Sequence, residues 1–313
     1  ACFLAGRVSF SYVLRSTPEG FPRRKLFAFN YKTVVYVFLL TSLYHVDVIM
    51  LGAVDSVPSE TVGYYKAALV LAEFLWLVPR AVQSTMIQSV SNLWNEGQTD
   101  RITEIASQVT RYGLLLTSLL AVGIGALASD FVPLYYPPEF VASVTPLLLL
   151  LPGTVGFAVA RPVLSISHAK GDMNVVILAT AAAAVINLGL NALLIPRFGR
   201  AGAPVSPSVG YGSLPLFHVV GARYLGFEPF ADARIGRVAL TVGLSAVVIV
   251  GLATVLENAL LSLIVVPPVG FVVYAGLALL TGAIDTEEVA DLLSVLPAPV
   301  SGRANAVLDR ITG

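Results

Sequence analysis

The 313-residue chain is 56% hydrophobic and 12% charged, with a mean hydropathy of +0.82, which excludes an ordinary soluble domain and indicates a membrane protein with several spans. Its formal net charge is zero, so its charge gives no argument for a nucleic-acid partner. One cysteine and three scattered histidines exclude an intrachain disulfide and give no spacing typical of a metal site, and we expect no cofactor.

The first half of the chain predicts a helix remnant, a basic linker and four spans. Residues 1–13 are largely apolar but too short to cross a bilayer, so we interpret them as the remnant of a preceding transmembrane helix. Residues 14–32 are rich in lysine and arginine and are interrupted by proline and glycine, which indicates a cytoplasmic linker. Four apolar runs of span length follow, at residues 33–54, 61–92, 112–129 and 141–167.

The second half predicts four more spans and a tail. The further apolar runs lie at residues 175–195, 201–220, 238–256 and 260–283. The first of them holds no charged residue and has the length that a helix needs to cross a hydrocarbon core of roughly 30 Å. Residues 284–313 predict an amphipathic tail, in which Asp285 and Glu288 have capping-box spacing. The fold class is therefore all-α, a polytopic transmembrane helix bundle with about eight complete spans.

The distribution of lysine and arginine predicts the orientation in the membrane. If the spans alternate, two basic residues fall on one side, Arg197 and Arg200. The other side receives Arg15, Arg23, Arg24, Lys25, Lys32, Arg101, Arg111, Lys170, Arg223, Arg234, Arg237, Arg303 and Arg310. Because basic loops stay in the cytoplasm, we expect a multi-pass protein of the cell membrane with both ends of this chain cytoplasmic.

Two stretches of the chain carry a family resemblance. The first begins with a glycine and an aspartate, Gly171 and Asp172, just before an apolar run. The run and the turn after it contain Asn187, Leu188, Leu190, Asn191, Leu193, Leu194, Ile195, Pro196, Phe198, Gly199, Gly202 and Ala203. The second covers residues 46–74. Together they resemble the oligosaccharide flippases of the multidrug/oligosaccharidyl-lipid/polysaccharide exporter superfamily. The first stretch is similar to the eleventh helix of that fold and its turn into the twelfth, and the second to the seventh and eighth helices.

The resemblance implies a domain organisation. Residues 33–226 resemble the C-terminal six-helix lobe of a two-lobe flippase, and residues 227–283 resemble two additional transmembrane helices. The tail, 284–313, is expected on the cytoplasmic side. Since the family's transport path runs between two lobes, the resemblance implies that an N-terminal lobe is missing from this chain. It also implies that membrane lipids and a lipid-linked oligosaccharide are the partners.

Ionisable residues inside predicted spans are the candidates for a substrate pathway, because charge within a membrane usually faces a cavity or a partner. Lys66, Glu73 and Arg80 lie seven residues apart in the second span and share one helix face. The other candidates are Asp47, Arg161, Asn187 and Asn191. Cationic groups in a water-filled cavity would hold the phosphate or diphosphate of a lipid carrier, and amides would hold sugar hydroxyls.

Structural roles for the same residues remain open. In this alternative, Glu73 neutralises Lys66 or Arg80, Arg161 extends its side chain to the cytoplasmic surface, and the two asparagines join helices. Glu73 lies two turns from Arg80, beyond the pairing of adjacent turns. We therefore expect Arg80 to have its partner on another helix, in water or in an anionic headgroup.

The sequence favours a flippase that moves a polyprenyl-linked oligosaccharide or polysaccharide repeat unit from the cytoplasmic to the outer leaflet by alternating access. A drug or organic-cation antiporter of the same superfamily is the alternative. A membrane glycosyltransferase or ligase and a non-transporting scaffold are less favoured. No nucleophile–base arrangement and no glycine-rich phosphate loop is present in the sequence, so we predict no catalytic residue and no enzyme activity.

Overall fold

The computed structural model describes residues 23–55 and 57–294, and the regular elements of this part of the chain are all helical. Its α-helices are α1 (Arg23–Gly52), α2 (Ser59–Glu73), α3 (Leu77–Asn95), α4 (Thr99–Tyr135), α5 (Val144–Ala169), α6 (Met173–Phe198), α7 (Gly202–Leu225), α8 (Ile235–Val255), α9 (Ala259–Leu280) and α10 (Thr286–Ser294). The expected helix remnant, the start of the linker and the end of the tail lie outside the described residues.

The described residues contain helices for eight membrane crossings, the number that the sequence predicts. Seven continuous helical stretches are long and apolar enough to span a membrane. One of them, Met173–Leu225, contains two crossings, because a 3₁₀ turn at Gly199–Ala201 lets α7 fold back against α6. Gly199 has a φ of 52°, a left-handed conformation that glycine adopts without steric cost. The second crossing, Ser59–Asn95, is formed by α2 and α3 together.

The first helix begins earlier than its apolar run. Helix α1 starts at Arg23, inside the segment expected as a linker, and its candidate membrane span is Asn30–Gly52. The basic residues at its start do not interrupt the helix, since lysine and arginine have high helix propensity. Hydropathy therefore locates the membrane-spanning part of α1 but not the point where its backbone becomes helical.

Helix α5 is the centre of the bundle, packing against α2, α3, α4 and α7. Most of its residues are buried, including Arg161 and Thr154. Small residues bring α5 close to α7: a Cβ added to Gly153 would lie 2.2 Å from the backbone oxygen of Ser208. The backbone N–H of Gly153 donates to the Ser208 hydroxyl at 3.1 Å, so a polar contact joins the two helices at this crossing.

Contacts between loops define the two ends of the bundle. At one end, Lys170 Nζ donates to the backbone oxygen of Leu225 at 2.6 Å, and the N–H of Glu228 donates to Thr103 Oγ1 at 3.2 Å. At the other end, Gly199 lies beside the side chain of Val57. The spans therefore alternate in direction, and the turn with Arg197 and Arg200 lies opposite the end with Lys170.

The hairpin of α8 and α9 packs against α4 and is fastened at the Lys170 end by an ionic network. The buried guanidinium of Arg111 on α4 donates to Asp232 at 2.8 Å and to Glu288 of α10. Arg234 donates to Asp232 at 3.1 Å and to Asp285 at 2.6 Å. The other Glu288 oxygen accepts from the N–H of Asp285 at 3.0 Å, which is the capping-box contact that the spacing predicts.

Candidate functional site

A break in the second crossing positions the candidate site. Between α2 and α3, residues Phe74–Trp76 form a 3₁₀ turn inside the membrane-spanning stretch. This turn places the indole of Trp76 in the bundle interior, where Nε1 donates to the backbone oxygen of Thr154 on α5 at 3.0 Å. The rings of Tyr44, Phe157 and Tyr211 surround it at centroid distances of 5.5, 4.9 and 5.5 Å. Trp76 thus links α2 and α3 to the central helix.

Arg80 lies on the first turn of α3 and reaches back toward the break. Its guanidinium carbon is 5.4 Å from the centre of the Trp76 ring, and its Nη2 is 4.0 Å from a carboxylate oxygen of Glu73. Both side chains are partly exposed, at 48% for Arg80 and 39% for Glu73. The expectation that Glu73 is out of reach is wrong, because side chains on a helix lean toward its N-terminus and arginine is long enough to cross the turn.

Arg161 on α5 is buried against the same tryptophan. Its guanidinium carbon lies 5.0 Å from the Trp76 ring and 4.3 Å from the Phe157 ring. It donates to Gln83 Oε1 at 3.1 Å and to the Tyr44 hydroxyl at 3.0 Å, while its Nε has no partner. Among the described residues it takes part in no ion pair. Its side chain does not extend to the surface; it remains 6% exposed in the interior.

We call Arg80, Arg161 and Trp76, with their partner Glu73, the arginine cluster. Two guanidinium groups share one indole, and one carboxylate lies beside them, so the cluster carries a net positive charge. Trp76 and the Arg161 partner Tyr44 were not predicted from the sequence. The available signal was the spacing of four residues between Trp76 and Arg80, which places them on one helix face.

Lys66 lies on α2 with its side chain exposed, on the surface that also carries Val70 and Phe74. Among the described residues it makes no ion pair within 4.0 Å. A lysine charge among exposed apolar side chains within a membrane crossing is unfavourable against lipid. This surface of α2 and α3 therefore favours water or a protein neighbour over hydrocarbon.

Asp47 belongs to a different contact. It is fully buried on α1 and accepts a hydrogen bond from the Tyr65 hydroxyl of α2. The Tyr65 oxygen also lies 3.4 Å from the backbone oxygen of Ala203 at the start of α7. The second carboxylate oxygen of Asp47 has no partner among the described residues. Asp47 thus joins α1 to α2, and no described hydrogen bond or ion pair connects it to the arginine cluster.

The two asparagines lie between α6 and α7. Asn187 and Asn191 are fully buried, and Asn191 Nδ2 donates to Asn187 Oδ1 at 3.1 Å. The helices approach closely at this point, since a Cβ added to Gly210 would lie 2.8 Å from Asn187 Cβ. The Nδ2 of Asn187 and the Oδ1 of Asn191 have no partner among the described residues. The asparagines are therefore part of a helix contact and not of the arginine cluster.

An apolar cavity of about 520 Å³ lies between α2, α4, α5 and the α8–α9 hairpin. Its lining is almost entirely hydrocarbon and includes Leu71, Phe74, Phe131, Ile249, Val266 and Phe271. Phe74, the residue after Glu73 in the chain, is the part of the break that lines this cavity. Within the described residues, no group of three or more histidine, cysteine or acidic side chains is placed to hold a metal.

Comparison with known proteins identifies the family. Residues 33–193, about half of the chain, match the MatE family. The chain belongs to the MatE family. The match begins in α1 and ends in α6, so it includes the break at Phe74–Trp76 and the arginine cluster. This family belongs to the multidrug/oligosaccharidyl-lipid/polysaccharide superfamily, whose members are transporters and not enzymes, in agreement with the sequence prediction.

Individual relatives agree with this assignment. The chain is 24% identical over 276 residues, 86% of its length, to a probable low-salt glycan biosynthesis flippase, Agl15, of Haloferax volcanii. It is 22% identical over 231 residues to an uncharacterized membrane protein, MJ1068, of Methanocaldococcus jannaschii, with 74% of the chain covered. The match covers 57% of the first relative and 46% of the second, so the chain spans about half their length.

A solved structure has the same fold. The structure of the lipid II flippase MurJ in an inward closed conformation superimposes with a TM-score of 0.65 and 15% sequence identity. The superposition covers 79% of this chain and 51% of that one. At this identity the similarity shows the fold alone, and it confirms the all-α membrane bundle predicted from the sequence.

Proposed function

We propose that this MatE-family chain is one lobe of a flippase that moves a polyprenyl-linked oligosaccharide or polysaccharide repeat unit from the cytoplasmic to the outer leaflet of the cell membrane. The observation that carries the proposal is the arginine cluster. Two guanidinium groups lie within 5.4 Å of one indole, and a single carboxylate, Glu73, lies 4.0 Å from one of them, Arg80. Guanidinium groups bind phosphate with paired hydrogen bonds, so the phosphate or diphosphate that links sugar to lipid is the fitting ligand.

The surroundings of the cluster match an amphiphile. The phosphate group would lie at Arg80 and Arg161, which share the Trp76 ring. The apolar cavity beside Phe74 offers a hydrocarbon environment for the lipid chain. A charged head and an apolar tail of one molecule would then be held in adjacent environments, as a lipid-linked sugar requires.

Alternating access needs a second wall for the transport path. The exposed surface of α1, α2 and α3 mixes apolar side chains with charge, and Phe38, Val70 and Leu77 are each more than half exposed there. We propose that a second lobe, the N-terminal lobe in the related two-lobe flippases, covers this surface. The relatives' greater length is consistent with this arrangement.

The proposed orientation places the end with Lys170, Arg111 and Arg234 in the cytoplasm. That end gathers most of the basic loop residues of the described chain, and Arg197 and Arg200 occupy the opposite end. By the positive-inside bias, both ends of this chain would be cytoplasmic. The name of the Haloferax relative, a probable glycan biosynthesis flippase, is consistent with export of a glycan.

An organic-cation antiporter is less well supported by the same geometry. A cation needs a carboxylate with no competing positive charge, and here Glu73 is shared with Arg80 at 4.0 Å. Asp47 is fully buried and bonded to Tyr65, so it does not present a carboxylate to a cavity. The cluster as a whole therefore favours an anionic ligand over a cationic one.

Flipping by variants of the full-length transporter that contains this lobe tests the proposal. The assay uses proteoliposomes with a fluorescent polyprenyl-diphosphate oligosaccharide, and membrane abundance is measured for each variant. Arg80→Ala should reduce flipping at least about tenfold at wild-type abundance, and Arg80→Lys should be intermediate, because lysine keeps the charge but loses the planar fork. Arg197→Ala, an exposed arginine at the opposite end, is the matched control and should flip normally.

Three results would contradict the proposal. Normal flipping by Arg80→Ala at wild-type abundance would remove the arginine cluster from the pathway. Equal losses of abundance and flipping would assign Arg80 a structural role. If the wild-type transporter shows no protein-dependent flipping of any lipid-linked saccharide, the scaffold alternative gains support.

A further inference from the structure

The two arginines of the cluster have opposite environments. Arg161 is buried and bonded to neutral groups, Gln83 and Tyr44, so its charge has no carboxylate within 4.0 Å among the described residues. Arg80 is half exposed and lies against Glu73. Two cations therefore lie on one indole, and one partly exposed carboxylate lies beside the outer cation. This arrangement is an anion site in which the protein itself supplies one negative charge.

The contact between Glu73 and Arg80 is weak by its geometry. Its 4.0 Å separation is longer than a charge-assisted hydrogen bond, which is about 2.7–2.9 Å. Both partners are open to the surroundings on the exposed surface of α2 and α3, and exposed pairs of this kind contribute little to stability. The contact can therefore be exchanged for a better one, since a diphosphate offers several oxygens where Glu73 offers one at the limit of ion pairing.

We propose, resting on the proposed function, that Glu73 competes with the substrate for Arg80. The Glu73 carboxylate pairs with the Arg80 guanidinium when the site is empty, and the diphosphate of the substrate displaces it. The competition lowers the affinity for the anionic headgroup. A flippase needs this lower affinity, because a headgroup held by two guanidinium groups without a competing carboxylate would dissociate slowly into the outer leaflet. Affinity differences between related complexes arise mostly from the dissociation rate. Glu73 thereby favours release.

The proposal distinguishes two effects of one carboxylate. If Glu73 acts by occupying Arg80, its influence on binding disappears when Arg80 is absent. If it acts by repelling the anion through space, its influence persists without Arg80. A double-mutant cycle between the two positions separates these effects, since the contact measured is the one in the structure.

The experiment measures binding of geranylgeranyl diphosphate, with neutral geranylgeraniol as the control probe. Microscale thermophoresis is carried out on the full chain in nanodiscs of phosphatidylcholine. Glu73→Gln should tighten binding of the diphosphate about three- to tenfold and leave binding of the alcohol unchanged. The matched control is Glu60→Gln, which alters an exposed glutamate in the first turn of α2 and should bind as wild type does.

In the Arg80→Ala background, Glu73→Gln should no longer tighten binding. An equal gain in both backgrounds would overturn the competitor proposal in favour of simple repulsion, and no gain in either would overturn it outright. These outcomes leave the proposed function intact as long as Arg80→Ala and Arg161→Gln weaken diphosphate binding. If neither arginine affects binding, the anion site itself fails, and the competitor proposal fails with it.

A measurement of transport kinetics tests whether Glu73 has only a structural role. In the full-length transporter, Glu73→Gln should lower the substrate concentration for half-maximal flipping and should not raise the maximal rate, because release becomes slower. Loss of folded protein without a change in either quantity would mean that Glu73 only neutralises Arg80 during insertion.

Discussion

At the scale of single residues, buried polar groups are the most sensitive points of this membrane bundle. Asp47 has one carboxylate oxygen bonded to Tyr65 and the other without a partner in the described structure. Removing the Tyr65 hydroxyl would leave the whole carboxyl group unsatisfied in a low-dielectric interior. A group in that state costs more than the lost hydrogen bond alone.

We predict that Tyr65→Phe lowers the free energy of unfolding by about 1–3 kcal/mol. The double variant Asp47→Val, Tyr65→Phe should be more stable than Tyr65→Phe, because replacing both partners removes the unsatisfied group. Thermal unfolding in detergent, followed for both variants and the wild type, measures the difference. A Tyr65→Phe protein that unfolds at the wild-type temperature would show that the contact contributes nothing.

Residue patterns in the sequence predicted where charge lies but not what it touches. The spacing of Lys66, Glu73 and Arg80 correctly indicated a shared surface, because helical periodicity follows from the chain alone. The contact of Arg161 with Gln83 and Tyr44 joins residues 78 and 117 positions apart. No local pattern contains such a contact, since it depends on which faces of three helices meet.

At the scale of helices, apolar length predicted all eight crossings, because only a helix of about twenty residues satisfies its backbone within a bilayer. The 3₁₀ turn at Phe74–Trp76 was not predicted. It contains no proline or glycine, and Pro79 follows it by three residues. Pro79 supplies a local cause, because it has no N–H to donate to the carbonyl of Leu75, four residues earlier, and its ring crowds that oxygen. The Trp76 indole, bonded to Thr154 and packed among three aromatic rings, then stabilises the break.

The crossing of α5 and α7 gives a prediction at this scale. A methyl group at Gly153 would overlap the backbone of Ser208, so Gly153→Ala must separate the two helices. We expect a loss of about 1–3 kcal/mol in stability, typical of overpacking. Gly189→Ala on α6 is the matched control, because nothing lies within 4 Å of its added Cβ, and it should be neutral or slightly stabilising. Equal stabilities of the two variants in thermal unfolding would contradict the close crossing.

The start of α10 gives a prediction on pH. A hydrogen bond from Arg234 holds the pKa of Asp285 below its ordinary value of 3.8. A carboxylate with a lowered pKa stabilises the folded state above its unfolded pKa, and this contribution is lost as the pH falls through the folded value. The stability difference between wild type and Asp285→Asn should therefore be constant from pH 8 to about pH 5, shrink as the pH falls below about 4, and be lost only below the lowered pKa of the folded state.

Thermal unfolding of both proteins across this pH range measures that difference. Its size should be small, about 0–1 kcal/mol, because the pair is exposed. A difference that grows as the pH falls would contradict the assigned sign.

At the scale of the whole molecule, the surface of α1, α2 and α3 decides between a transport path and a lipid-facing wall. Lys66 is exposed there, whereas Val247 of α8 is exposed among apolar side chains, as expected of a surface that contacts lipid. In a cysteine-free background of the full-length transporter, in which Cys2 of this chain is also replaced, one new cysteine can be placed at either position.

We predict that Lys66→Cys reacts with a membrane-impermeant thiol reagent and that Val247→Cys does not, because only the first would face a water-filled path. The extent of labelling on intact vesicles, compared with labelling after solubilisation, measures this. Equal protection at both positions would assign the α2 surface to lipid or to a dry interface.

We also expect this chain alone to show no flipping when it is reconstituted in vesicles. A protein-dependent flipping rate would mean that a second copy of the chain supplies the other wall of the transport path.

The position of Trp76 has a spectroscopic consequence. Its indole is 1% exposed, so its fluorescence emission lies toward the blue, and two guanidinium groups set the electric field around it. The chain has one other tryptophan, Trp94, and Trp94→Phe would leave Trp76 as the sole emitter. A negative headgroup arriving at the guanidinium groups would change that field and shift the emission. Occupancy of the arginine cluster can thus be followed optically from within the membrane, with no dye on the protein or the lipid.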